Sequence, residues 1–269
     1  IITDTFRLMN KNNYTVHIPE EIKKDILFIV NECNSKGFEC FLVGGSVRDL
    51  LLGNEVYDYD FATNALPAQV TALFKNVIPT GIKHGTVSIK INDNLFEMTT
   101  YRADGKYIDG RRPESISFSK SLLEDVQRRD FTINGLAYNP ITDELHDLVH
   151  GLPDLQNNII RTIGNPLDRF TEDGLRPFRA CRFASKLNFS IDNETFEAIP
   201  KTHEVAKLVS IERIRDEFVK ILESDVPSIG LEYLRKAGLL QLFLPELAEC
   251  YNVDQNKYHI FDIYNHSLR

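Results

Sequence analysis

Phe41-Leu42-Val43-Gly44-Gly45-Ser46-Val47-Arg48-Asp49-Leu50-Leu51-Leu52-Gly53 carries the densest structural signals in the chain. An apolar triplet ending in two glycines reads as a short buried strand and a tight turn. Ser46 then suits a helix N-cap, Val47, Leu50 and Leu51 form the helix's buried stripe, and Gly53 closes it. Shortly afterwards Tyr57-Asp58-Tyr59-Asp60-Phe61 reads as a second strand, with the carboxylates of Asp58 and Asp60 on one face. Two acids that close repel unless a cation lies between them, and carboxylate oxygen is the ligand that Mg²⁺ prefers. Taken singly, the acids read as solvated strand residues and Gly44-Gly45 as a plain tight turn. Together they point to phosphate chemistry. Glycines let backbone amides approach a phosphate, a helix N-terminus adds partial positive charge, and Arg48 can pair with a triphosphate. There is no Walker A and no GxGxxG sequence, which disfavours P-loop and dinucleotide folds.

Upstream, residues 1–18 read as an irregular lead-in. Pro19-Glu20-Glu21 opens a helix with Ile22, Ile26, Ile29 and Val30 at helical spacing and Gly37 as its stop. Downstream, Asn64-Ala65-Leu66-Pro67 leads into a helix through Phe74. Thr86–Ile91 alternates as a half-buried strand, Asn92-Asp93-Asn94 turns, and Leu95–Tyr101 returns as its partner. Glu97, on that returning strand, is a third carboxylate beside the Asp pair or a solvent-facing edge residue. Arg102–Pro113 is Gly-rich, charged and aperiodic, a long loop. Beyond Gly151 the spacing turns helical: Leu175–Leu187, then Ile211–Leu222 with Ile214, Phe218, Ile221 and Leu222 inward, then Ile229–Leu244. The expected fold is α+β, a head with a small mixed sheet followed by an all-helical stem.

The 269 residues carry 31 Lys+Arg against 39 Asp+Glu, a formal net charge of −8, and are 42% hydrophobic. That composition excludes wholesale disorder and argues against an indiscriminate nucleic-acid coat, while leaving room for a local basic groove. No apolar run approaches the roughly 20 residues that span a bilayer, and no leader is evident, so a soluble, cytoplasmic protein is expected. Cys33, Cys40, Cys181 and Cys250 are scattered without a CxxC pair, which favours free thiols over zinc or disulfides. The ends, Ile1 and Arg269, read as those of a fragment.

Two further clusters hold candidate chemistry. Arg128-Arg129-Asp130-Phe131-Thr132-Ile133-Asn134-Gly135 offers arginines for phosphates and an Asp for a ribose hydroxyl, or a weak surface ion-pair network. In Glu172-Asp173-Gly174-Leu175-Arg176-Pro177-Phe178-Arg179-Ala180-Cys181-Arg182, residues Asp173, Arg176, Arg179 and Arg182 recur every third position as one charged helix stripe. An Asp–Arg pair matches the edge of cytosine or adenine, each with an amino donor beside a ring-nitrogen acceptor. A solvated salt-bridge face is the competing reading. Pro177 requires a kink or a first-turn position.

These stretches, with His84-Gly85-Thr86-Val87 and Arg111-Arg112-Pro113-Glu114 in between, resemble the class II tRNA nucleotidyltransferases, the CCA-adding enzymes of the polymerase-β-like superfamily. The resemblance spans roughly residues 38–245. It implies a lead-in and helix (1–37), a catalytic nucleotidyltransferase head (38–150), a nucleotide-selecting helical neck (151–208) and a helical body (209–269) that runs on into a further, HD-like C-terminal region. It implies Mg²⁺ on Asp58 and Asp60 in a two-metal site, with Glu97 as third carboxylate. Gly44, Gly45 and Arg48 would bind the incoming triphosphate, and Arg129 and Asp130 the nucleotide sugar and phosphates. Asp173 and Arg176 would read CTP or ATP, with Arg179 and Arg182 also on the nucleotide. The implied reaction is attack of a tRNA 3′-hydroxyl on the α-phosphate of CTP or ATP with release of pyrophosphate. A poly(A) polymerase, a CC-only or A-only enzyme, and a catalytically inactive RNA-binding module of the same fold are the alternative readings. Tyr258–Leu268 resembles the opening of an HD-type domain, but no His-Asp pair appears in it. Nothing in the sequence fixes the oligomeric state.

Overall fold

The computed structural model describes residues 14, 16–104, 116–256 and 258–268. Most of the lead-in and the Arg111-Arg112-Pro113-Glu114 stretch therefore lie outside the described residues. The chain forms two compact units: residues 1–103, 117–126 and 134–149 make the first, and 104–116, 127–133 and 150–269 the second.

The first unit begins with helix α1 (Glu20–Ser35), whose Ile26, Ile29, Val30 and Cys33 are buried at helical spacing. The sequence reading sets this helix apart as a lead-in, but it belongs to the first unit. Its buried Asp25 accepts hydrogen bonds from Asn92 (2.8 Å) and Asn94 (2.9 Å), which ties it to a strand turn. There follow β1 (Cys40–Val43), α2 (Gly45–Leu51), β2 (Asp60–Thr63), α3 (Pro67–Leu73), β3 (Val77–Gly81), β4 (Thr86–Ile91), β5 (Asn94–Thr100), β6 (Arg102–Asp104), β7 (Ile116–Phe118), α4 (Leu122–Gln127), β8 (Leu136–Asn139) and β9 (Glu144–Asp147).

Seven of these strands form one sheet in the order β3-β4-β5-β2-β1-β8-β9. Only the β2–β5 contact is parallel, so the sheet is mixed, as expected. Every residue of β1, an interior strand between β2 and β8, is buried. Phe41, Val43, Ala62, Tyr101 and Ala137 form one core cluster, with Leu122 packed against it. Strand β3 escapes the sequence reading because Pro79 and exposed neighbours hide it, and an edge strand is where a sheet tolerates proline. Residues 102–104, expected in a long loop, instead pair with β7.

The second unit contains α5 (Gly151–Gln156), β10 (Ile159–Ile160), α6 (Pro166–Glu172), α7 (Arg176–Leu187), β11 (Ser190–Ile191), α8 (Asn193–Ala198), α9 (His203–Ala206), α10 (Ile211–Leu222), α11 (Pro227–Lys236), α12 (Leu240–Phe243), α13 (Pro245–Glu249) and α14 (Ile263–Ser267). It is not all-helical: β10 and β11 pair in parallel, Ile159 beside Ser190 and Ile160 beside Ile191. Two-residue strands are too short to show an alternation, so spacing could not reveal them. Helix α7 packs against α6, α10 and α11, and Phe243 joins Phe178 and Phe218 in edge-to-face contacts at 5.7 and 5.4 Å. The expected single helix Ile229–Leu244 breaks at Gly238, whose φ of +72° ends α11. Leu222, expected inward, is half exposed because it follows Ile221 and so sits a quarter-turn off the buried stripe. Cys33, Cys40, Cys181 and Cys250 are free thiols. Among the described residues no helix is long and apolar enough to cross a membrane.

Candidate nucleotide site

In the first unit β1 and β2 run antiparallel with Leu42 opposite Phe61. Val43 and Asp60 therefore leave the sheet at the same end. There Gly44 takes a φ of +75° and donates its N–H to the Leu136 carbonyl at 3.2 Å before α2 begins. Ser46, expected as the N-cap, lies inside the first turn, where its hydroxyl donates back to the Val43 carbonyl at 2.9 Å. Gly44 is the cap residue. Strand β2 is shorter than expected: Asp60 is its first residue and Asp58 precedes it. Asp58 is exposed, Tyr59 buried and Asp60 half-buried, so the out-in-out alternation survives although Asp58 is outside the ladder.

The parallel register of β2 on β5 sets Glu97 beside Asp60, with buried Phe61 and Met98 as the next pair. Paired strands lie about 4.8 Å apart, so these acids are lateral neighbours. Among the described residues no three His, Cys, Asp or Glu side chains converge to hold a metal by themselves. Mg²⁺ does not need such a cage: it keeps several waters and takes one or two carboxylates plus substrate phosphates. Asp58 and Asp60 fit that donor set.

Arg48 is buried and its fork is engaged. Nε and Nη2 donate to the two Asp49 carboxylate oxygens at 2.9 and 2.8 Å, and Nη1 donates to Asn134 Oδ1 at 2.5 Å. A Cβ on Gly45 would lie 3.5 Å from Nη2, so the guanidinium rests against the glycine turn. Asn134, quoted above without a role, is thus part of this cluster.

In the second unit Asp173 is not on the arginine helix. It is the residue that ends α6, and α7 starts at Arg176. Its Oδ1 accepts from the Leu175 N–H (3.0 Å), its Oδ2 from Arg213 (3.3 Å) and its carbonyl from the Arg176 N–H (3.0 Å). Pro177 occupies the first turn of α7, where its missing N–H costs nothing. Buried Arg176 donates through Nη1 to Glu172 (2.6 Å) and the Arg169 carbonyl (2.9 Å), and through Nη2 to the Arg128 carbonyl (3.0 Å). Glu172 is held from its other side by Arg169 at 2.5 Å.

Asp130 is buried and accepts from Arg179 Nε and Nη2 at 2.8 and 2.6 Å. Arg182 donates from Nε to Glu217 at 2.5 Å and stacks 3.9 Å from the centre of the Phe183 ring. Arg129 is half-buried, one residue before Asp130. Burial works against the Arg179 charge, but Asp130 and Glu217 outweigh it and its pKa is raised. For Arg182 burial wins, Glu217 opposing it and Arg179 adding to it, and the pKa is lowered. Glu217 and Arg213 escaped the sequence reading. An acid at 217, between Ile214 and Ile221 on the buried stripe of α10, was the available signal, because a buried carboxylate demands a partner.

Residues 40–161 match the family described as Poly A polymerase head domain, and residues 188–251 the one described as Probable RNA and SrmB- binding site of polymerase A. A CCA-adding enzyme of Enterococcus faecalis is 47% identical over 76% of this chain and 50% of its own length. One of Levilactobacillus brevis is 43% identical over 87% of this chain and 58% of its own. The crystal structure of the Bacillus stearothermophilus CCA-adding enzyme in complex with CTP aligns with a TM-score of 0.79 at 34% identity, covering 87% of this chain and 59% of that one. A tRNA nucleotidyltransferase complexed with a primer tRNA and an incoming ATP analog aligns at 0.69 and 30%, covering 86% and 64%. The chain thus spans between half and two-thirds of the length of these relatives.

Proposed function

The chain belongs to the tRNA nucleotidyltransferase and poly(A) polymerase family, and from that premise we propose that it adds C and A residues to the 3′ end of tRNA from CTP and ATP, releasing pyrophosphate in the cytoplasm. The observation that carries the reading furthest is the end of the first unit's sheet. There Asp60, two residues after Asp58, has Glu97 as its lateral neighbour on β5, and the Gly44-Gly45 turn that Arg48 braces follows β1.

The family typically uses divalent metal. Here Asp58 and Asp60 would hold Mg²⁺, which when bound supplies positive charge against the triphosphate. Glu97, beside Asp60, adds negative charge to the same sheet end. The Gly44-Gly45 turn leaves room for a phosphate against the backbone, and the Arg48 guanidinium behind it supplies fixed positive charge. Its bonds to Asp49 and Asn134 make it a preorganised part of the turn rather than a freely swinging fork.

In the second unit Arg129 and Asp130 serve the nucleotide's sugar and phosphates, Asp173 and Arg176 read its Watson–Crick edge, and Arg179 pairs with phosphate. Arg176 has its side chain fixed by Glu172 and two carbonyls before any base arrives, so selection is by a rigid pattern. Attack by the tRNA 3′-hydroxyl then depends on positioning and electrostatics, with no covalent enzyme intermediate.

The match to a poly(A) polymerase head keeps that activity as the second reading. One experiment separates the readings: the full chain with Mg²⁺, tRNAs ending before C74, C75 or A76, and each labelled triphosphate in turn. Addition of two C and then one A, with termination, is expected. Unlimited A addition supports the second reading, and no incorporation overturns both.

A further inference from the structure

In the second unit one carboxylate without a role in the chemistry above occupies a dry place. Glu217 is 5% exposed, on the stripe of α10 that faces α7. It accepts from Arg182 Nε at 2.5 Å and lies 3.9 Å from Arg179 Nη1. Arg179 in turn grips Asp130. Four charges therefore alternate in sign: Asp130, Arg179, Glu217, Arg182.

Access to the members differs. The Arg179 side chain is 32% exposed, whereas those of Arg182 and Glu217 are 11% and 6% exposed. Arg179 is thus partly open to solvent, while Arg182 is closed off by Glu217 and the Phe183 ring. The two arginines are three residues apart on α7, so their guanidiniums are neighbours and repel, the more so where water is scarce. Glu217 is the counter-charge near both.

We propose that Glu217 and Arg182 are positioning residues: they touch no nucleotide and set nucleotide affinity by holding the Arg179 guanidinium in place. The inference rests on the nucleotidyl-transfer reading and reassigns Arg182, which the sequence resemblance puts on the nucleotide itself. Arg182 holds the Glu217 carboxylate in place, and without that carboxylate Arg179 loses the counter-charge on its Nη1 side and is free to turn wholly toward Asp130 and away from phosphate. A buried ion pair adds little stability over an apolar pair of similar volume. Both charges can therefore be removed together without dismantling the packing of α7 on α10.

The test uses the full chain, with CTP and ATP binding followed by titration calorimetry and incorporation followed on tRNA. Glu217→Gln is expected to weaken both nucleotides about tenfold in Kd and KM, with kcat within about twofold. Glu217→Asp recovers part of the loss. The double variant Arg182→Met with Glu217→Met keeps a wild-type unfolding temperature and shows the same loss, which separates charge from folding if Glu217→Gln proves unstable. Glu217→Gln adds nothing to Arg179→Gln, since it acts through that residue. Wild-type affinity in the folded double variant, or additive losses with Arg179→Gln, overturns the inference. A wild-type chain that binds CTP but transfers nothing would sink the transfer reading, and the calorimetric comparison would still decide the role of Glu217.

Discussion

Replacing Gly174 by alanine tests whether the turn between α6 and α7 sets nucleotide choice by its backbone. Gly174 stands between Asp173 and Leu175 and is buried. A Cβ there would lie 2.5 Å from the Val205 carbonyl oxygen, 2.8 Å from its carbon and 3.0 Å from the Ala206 Cα, all backbone at the end of α9. Carbon contacts settle near 3.5 Å, so the turn or α9 must give by about 1 Å. Overpacking of this kind costs about 1–3 kcal/mol. Gly174 does not have a positive φ, so alanine also brings an entropic gain of about 0.4–1 kcal/mol. The two oppose, and the clash wins by about 1–2 kcal/mol. At about 2–4 °C per kcal/mol for a chain of this size, the unfolding temperature should fall by about 2–8 °C. The functional effect should be larger in proportion. Asp173 directly precedes the displaced residue and Arg176 follows it by two, and a 1 Å misplacement of a positioning group can cost about 100-fold in rate. Thermal unfolding by circular dichroism and single-turnover CTP and ATP incorporation measure the two effects. An alanine variant with an unchanged or higher unfolding temperature and wild-type turnover would show that the α6–α7 turn is neither tightly packed nor functionally rigid.

Asp58→Ala and Asp60→Ala are each expected to abolish incorporation while leaving tRNA binding measurable by gel shift, since their charge acts on chemistry; unchanged turnover in either removes the metal assignment. Chelation with EDTA should stop turnover and added Mg²⁺ restore it, with persistence of the full rate in chelator as the contrary result. Arg176→Ala should blur the choice between CTP and ATP in competition assays, and intact fidelity would refute the base-reading role. His146 packs edge-on to Phe41 at 4.9 Å, and its Nε2 is buried without a hydrogen-bond partner among the described residues. Burial holds its pKa below the ordinary 6.5, Glu144 and Glu39 pulling weakly the other way. The unfolded chain thus takes the proton first, so stability should fall as pH drops below about 6.5 and level off once the folded form also protonates. His146→Phe should flatten that part of the profile of unfolding temperature against pH, and an identical profile would exclude the group as its source.

The parts of the fold legible in the sequence were those where burial repeats over several residues. Thr86–Ile91 alternates over six residues and is β4 to the residue, and Ile211–Leu222 holds a helical stripe over three turns and is α10. What stayed hidden lacked room for a period or broke its own rule. Strands β10 and β11 have two residues each, and β3 carries a proline that only its edge position permits. Helix boundaries slipped where one residue served two elements. Asp173 falls on the helical spacing of Arg176, Arg179 and Arg182, yet it ends α6 while donors from Leu175 and Arg213 occupy its carboxylate. Periodicity cannot tell a cap from a first turn when both fit the same count.

The candidate site divides along a similar line. Asp58, Asp60, Gly44, Gly45 and Arg48 stood out because adjacent residue types announced one chemistry. The partners that fix the arginines are distant in sequence: Asn134 for Arg48, Arg128 for Arg176, Asp130 and Glu217 for Arg179 and Arg182. Sequence shows that a charge exists, whereas its solvation depends on what folding brings beside it. Glu217 shows where that ignorance can be narrowed. A carboxylate on the inner stripe of an amphipathic helix must find a cation or be neutralised, because leaving it bare and buried costs several kcal/mol. The arginine stripe of α7 is the nearest excess of buried positive charge that the sequence offers, and counting inward acids against inward bases helix by helix pairs the two.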